Sequence, residues 1–101
     1  MGMSKSRVHP PEPEAVQRLV ASNMRRIRLE KRLTQEQVAE RSETTPVWIS
    51  GCERGVRNMS VTSLFRIAYA LDVPPAALID TTKHPEPPRG ERVYSRRVAK
   101  T

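Results

Sequence analysis

Apolar residues recur at helical spacing through the middle of this chain. Val16, Val20, Met24 and Ile27 stand at i, i+4, i+8 and i+11, one face of a helix predicted from about Glu14 to Lys31. Val61, Leu64, Ile67, Ala68 and Leu71 make a second such face, on a helix that Ser60 can cap and that Val73, Pro74 and Pro75 end. Two shorter segments lie between. Thr34 stands three residues before Gln37, the capping-box spacing, and Val38 with Ala39 is the expected buried pair of a short helix. Thr45 can cap another, with Pro46 at its first position, where a missing N–H would be unpaired anyway. Val47, Trp48, Ile49 and Cys52 are its apolar residues. Only Ser42, Glu43 and Thr44 separate the two short helices, so they are expected to cross steeply. Ala76 to Ile79 is predicted as a last short helix that closes the core. No segment alternates apolar and polar residues convincingly. The pattern therefore predicts an all-α, compact domain of five helices.

Charge changes this picture at the ends. The 101 residues carry a formal charge of +7, which favours a polyanionic partner. Residues 14–81 hold ten Lys/Arg against eight Asp/Glu, whereas residues 82–101 hold six against two. Six of the nine prolines fall in residues 1–13 and 82–101, where apolar periodicity is absent. These segments are expected to be a disordered N-terminal arm and a basic, Pro-rich disordered tail. The remaining 68 residues approach the lower size limit for a single core, which dimerisation would reinforce.

Several functions are set aside by what the chain lacks. Its one cysteine, Cys52, excludes an internal disulfide and a multi-thiolate metal site, and reads as a small core hydrophobe beside Ile49. His9 and His84 lie in the predicted tails, and neither paired carboxylates nor a Gly-rich phosphate loop is evident, so no enzyme, cofactor or metal is expected. There is no signal-peptide pattern and no run of about 18 apolar residues, which predicts a cytoplasmic, nucleoid-associated protein.

The segments LTQEQVAERS, TTPVWISGCERG and RNMSVTSLFRIAYALDV resemble the phage-repressor (Cro/cI-like, XRE) helix-turn-helix family over roughly residues 20–79. Thr34, Gln35, Ala39, Ile49, Ser50, Glu53, Arg54, Gly55, Arg57, Asn58 and Leu64 fall in that family's order and spacing. Within it, IRLEKRLTQE and ISGCERGVRN resemble restriction-modification controller proteins, which are small dimeric autoregulators.

The resemblance implies a DNA-binding surface. Gln35 would clamp a phosphate at a helix N-terminus, and Thr45 would add a phosphate or thymine-methyl contact to its capping role. Pro46, Val47, Trp48, Ser50 and Gly51 occupy the stretch that would face the major groove. Neither Pro46 nor Val47 can form the bidentate hydrogen bonds that distinguish guanine or adenine, though Val47 can pack on a thymine methyl. Trp48 either donates its indole N–H to a phosphate or packs within the protein. Gly51 costs a helix about 1 kcal/mol relative to Ala. It either lets the backbone approach DNA or avoids a clash inside the protein. Arg54, Arg57 and Asn58 would run along the DNA backbone, with Arg57 leading as a base or minor-groove contact.

The same resemblance pairs Glu53 with Arg28 in a buried bridge, and places Arg32 and Glu43 where the family commonly has glycine after the first two helices. It implies homodimeric operator binding. Phe65 and Tyr69, four residues apart on a helix face that the core does not need, are dimer-contact candidates together with Pro75, Ala76, Leu78 and Ile79, with peripheral core packing as the alternative for both aromatics. Arg89, Arg92, Arg96, Arg97 and Lys100 would add phosphate attraction. The alternative function is an antitoxin or similar interaction module, whose C-terminal tail folds on a protein partner.

Overall fold

The computed structural model describes residues 10–83. It contains four α-helices, α1 (Pro13–Glu30), α2 (Gln35–Ser42), α3 (Pro46–Glu53) and α4 (Val61–Leu71), followed by a 3-10 helix, Pro75–Ile79. Among the described residues there is no strand. The predicted count of five helices is thus corrected to four, with a 3-10 segment in the fifth place. Pro74 and Pro75 offer no backbone N–H, and Ala77 N–H closes a tight three-residue step onto Pro74 O at 2.9 Å. Most of the N-terminal arm and nearly all of the tail, with His9, His84, the five tail cations and the tail's proposed partner contact, lie outside the described residues.

Three helix starts follow local chemistry. Thr34 Oγ1 accepts from Gln37 N–H at 3.0 Å while Gln37 Oε1 accepts from Thr34 N–H at 2.8 Å, completing a capping box. Thr45 Oγ1 accepts from Trp48 N–H at 3.2 Å, and Ser60 Oγ from Ser63 N–H at 3.1 Å. Each satisfies an amide that the helix itself leaves unpaired.

The helix ends share one geometry. After α1, Arg32 N–H donates to Leu29 O and Leu33 N–H to Arg28 O; after α2, Glu43 and Thr44 repeat the pattern onto Glu40 and Ala39. After α3 it is made by Gly55 and Val56, and after α4 by Asp72 and Val73. These are Schellman ends, which need a left-handed residue. Arg32, Glu43, Gly55 and Asp72 supply it, with φ of 59°, 59°, 77° and 58°.

The core gathers Met24 and Ile27 from α1, Val38 and Ala39 from α2, Ile49 and Cys52 from α3, Ile67, Ala68, Ala70 and Leu71 from α4, and Leu78. Helix α2 packs on α3 and α4, and α1 packs on α3 and the 3-10 helix. Two expected core positions differ. Val16 is 39% exposed because α1 turns Ala15 and Leu19 inward beside the expected Val20. Val61, the first residue of α4, is 73% exposed, and the inward stripe begins later, at the half-buried Leu64.

Asn23, 1% exposed, closes the domain. Its Nδ2 donates to Leu78 O at 3.0 Å and Asp80 O at 2.9 Å, and its Oδ1 accepts from Arg26 at 2.9 Å. One side chain thus fastens the last segment to α1.

Candidate nucleic-acid interface

Helix α3 is anchored by one face and free on the other. Ile49 and Cys52 are 0% and 1% exposed, whereas Val47 is 73% exposed, with Thr45 and Pro46 exposed beside it. Burial pushes the Cys52 thiol from 9.0 up to about 11, against the pull of the Arg57 cation, so it stays protonated and unreactive at neutral pH. Trp48 is half-buried and packs against the core. That packing leaves part of its ring at the surface.

The anchor on α3 is ionic as well as apolar. Arg28 Nε donates to Glu53 Oε2 at 2.6 Å, Arg28 Nη2 to Glu53 Oε1 at 3.0 Å, and Arg28 Nη1 to Leu33 O at 2.8 Å. The hydrogen bond to Glu53 raises the Arg28 pKa despite its burial. Gln35 Nε2 donates to the same Glu53 Oε1 at 3.1 Å, and Arg25 approaches it to 3.9 Å. Glu53 therefore gathers α1, α2 and α3 at one point. Gln35, proposed as a phosphate clamp, is held at the N-terminus of α2 by this carboxylate. Arg25 lies one turn before Arg28 on α1, so the two cations reach the same carboxylate from one helix.

The C-terminal end of α3 carries cations. Arg54 Nη1 donates to Ser50 Oγ at 2.9 Å, tying two proposed DNA contacts together along one helix edge. Arg57 and Asn58 are exposed in the following loop. Gly51 is buried beneath that loop: a Cβ placed there would meet Arg57 Nε at 2.7 Å and Arg57 Cγ at 3.1 Å. The residue that a side chain at Gly51 would strike is itself a proposed DNA contact. Gly55, by contrast, is favoured by its own positive φ of 77°, a region that Arg32, Glu43 and Asp72 enter without glycine, and it lies against Arg18 of α1.

The six dimer-contact candidates do not form one patch. Leu78 is 0% exposed and belongs to the core, so it is withdrawn: the 3-10 turn points it inward between α1 and α4. Phe65 and Tyr69, 56% and 81% exposed, line a groove with Arg41, Glu43 and Arg66. Ile79, 53% exposed, lines a different one with Val16, Val20 and Leu64. Ala76 is exposed and Pro75 half-buried. Among the described residues no group of His, Cys, Asp and Glu is placed to hold a metal, and no helix is long and apolar enough to cross a membrane.

Comparison with known proteins agrees with this geometry. Residues 19–80 match the family described as helix-turn-helix domain. The chain is 43% identical over 77 residues to the uncharacterized HTH-type transcriptional regulator y4dJ of Sinorhizobium fredii, covering 76% of this chain and 97% of that one. It is 38% identical over 65 residues to the control protein C.BamHI of Bacillus amyloliquefaciens, covering 63% and 80%. Among solved structures it is similar to the restriction-modification controller protein C.AhdI from Aeromonas hydrophila, with a TM-score of 0.60 and 34% identity over 61% of this chain and 94% of that one. A short α3 held by its inner face, a capped α2 before it and these relatives together place the chain in the helix-turn-helix domain family, in its Cro/cI-like (XRE) form.

Proposed function

We propose that the chain is a sequence-specific, double-stranded-DNA-binding transcription regulator that acts as a homodimer on an operator, including one at its own promoter. The observation that carries this reading is the exposed N-terminal end of α3, where Thr45, Pro46 and Val47 face solvent while Ile49, Cys52 and Glu53 fix the opposite side. A helix presented in this way can enter a major groove with its N-terminal residues at base edges. The amides that remain uncapped at the starts of α2 and α3 favour phosphate, and the exposed Arg54 and Arg57 after α3 add positive charge. Similarity to controller proteins supports the autoregulatory part of the reading.

Readout by hydrogen bonds from α3 itself is sparse. Val47 offers a methyl contact to thymine, and Ser50, Arg54 and Arg57 offer polar ones, so DNA shape and deformability carry part of the specificity. Phe65 and Tyr69 supply the dimer contact, an exposed aromatic pair rimmed by Arg41, Glu43 and Arg66. Two motifs about 34 Å apart then reach successive major grooves on one face of DNA.

Selection from random DNA, followed by footprinting, tests the proposal. Two protected half-sites about one helical turn apart support it. No enrichment of any sequence refutes it. Sedimentation of the double variant Phe65→Asp, Tyr69→Asp tests the dimer contact; a mass unchanged from wild type rules that surface out.

A further inference from the structure

We infer that Gly51 is the positioning residue for Arg57: by carrying no side chain it leaves a notch on α3 in which the arginine lies, and so sets where this cation meets DNA. The inference rests on the DNA-binding reading above and assigns Gly51 a part in it.

Glycine in a helix interior is unfavourable relative to alanine, so its presence at Gly51 calls for a reason. Backbone conformation is not that reason, because Gly51 lies within α3 and does not share the positive φ of Gly55. Space is. The nearest atoms that a Cβ would meet are Arg57 Nε at 2.7 Å, Cγ at 3.1 Å and Cδ at 3.5 Å, all from one side chain. The first of these is closer than a real Cβ tolerates, so any larger residue moves Arg57.

The same residue also fixes the loop. Gly51 O accepts from Val56 N–H at 3.2 Å, which places Arg57 one residue beyond a backbone anchor on α3. Arg54, by contrast, is held by Ser50 Oγ. Arg57 is exposed and is seated by shape rather than by a partner's side chain. A flexible arginine held this way loses less freedom on binding than one free in solution.

The test uses the full chain as wild type, Gly51→Ala, Arg57→Ala and the double variant. Gly51→Ala is expected to melt at or above the wild-type temperature, because alanine favours the helix and only a flexible side chain must move. Its affinity for the wild-type-selected operator is expected to fall by about tenfold, as in Arg57→Ala. In the Arg57→Ala background, Gly51→Ala should change affinity no further. The Nε–H resonance of Arg57 in the free protein should shift between wild type and Gly51→Ala.

Wild-type affinity in Gly51→Ala overturns the inference. So does an equal loss in both backgrounds, which would mark direct contact between the Gly51 backbone and DNA. Unfolding of Gly51→Ala both alone and with Arg57→Ala would make the position a packing requirement and also overturn it. If the wild type enriches no DNA, the functional reading fails by itself. The free-protein resonance then still decides the seat, and an unmoved signal refutes it.

Discussion

Arg28 and Glu53, one from α1 and one from α3, grip each other through hydrogen bonds of 2.6 and 3.0 Å with side chains only 9% and 2% exposed. An ion pair so enclosed leaves a stranded charge when one member is neutralised, which costs about 3–5 kcal/mol. Glu53→Gln is therefore expected to lower the melting temperature by about 10 °C or more. Thermal denaturation checks this, and an unshifted midpoint would show that the bridge does not brace α3.

Cys52 makes stability depend on alkaline pH. Its thiol ionises near 9.0 when solvated and near 11 when buried in the fold. Folding then binds the proton more tightly. The associated stability is complete below about pH 9 and is lost as pH rises through 11, on the order of 3 kcal/mol in all. Unfolding free energies of wild type and Cys52→Ala, compared at neutral and strongly alkaline pH, should show the steeper alkaline loss in wild type. Parallel curves would count against the shift.

Asn23 predicts a local weakness. Asn23→Ala removes the donor to Leu78 O and Asp80 O and leaves a carbonyl near a fully buried leucine without its partner. A loss of about 1–3 kcal/mol is expected in urea unfolding. DNA affinity per folded molecule should stay at the wild-type value, since Asn23 fastens the 3-10 helix rather than α3.

Val47 and Arg57 should differ in kind as DNA contacts. Val47→Ala is expected to weaken preference at one base pair, with no effect on the salt dependence of binding, because it removes only methyl contact. Arg57→Ala should relax sequence preference more widely through the lost base contact, and reduce the slope of log K against log salt by about one through the lost attraction to phosphate. Titrations at several salt concentrations separate the two, and identical slopes for both variants would rule out a phosphate contact by Arg57.

What could be read from the chain was mostly local. Thr34, Thr45 and Ser60 cap helices because a side-chain oxygen needs only the amide three residues on, and that relation is visible in sequence. The left-handed ends at Arg32 and Glu43 were legible only through family resemblance, and the one at Asp72 was missed because no glycine marks it. Leu78 was assigned to the surface because a five-residue segment has too short a period to reveal its inner face. Gly51 was the hardest to read. The object that excludes a side chain there, Arg57, arrives by a loop whose path depends on the whole fold.

All four α-helices stop in the same way, yet only α3 does so on glycine. At Arg32, Glu43 and Asp72 an L-residue occupies a backbone region that costs about 1–2 kcal/mol without glycine. The chain thus carries untapped heat tolerance at three helix ends outside α3. A lineage or library pressed toward higher temperature has glycine open to it at each, and can gain endurance there while leaving every residue of α3 as it is.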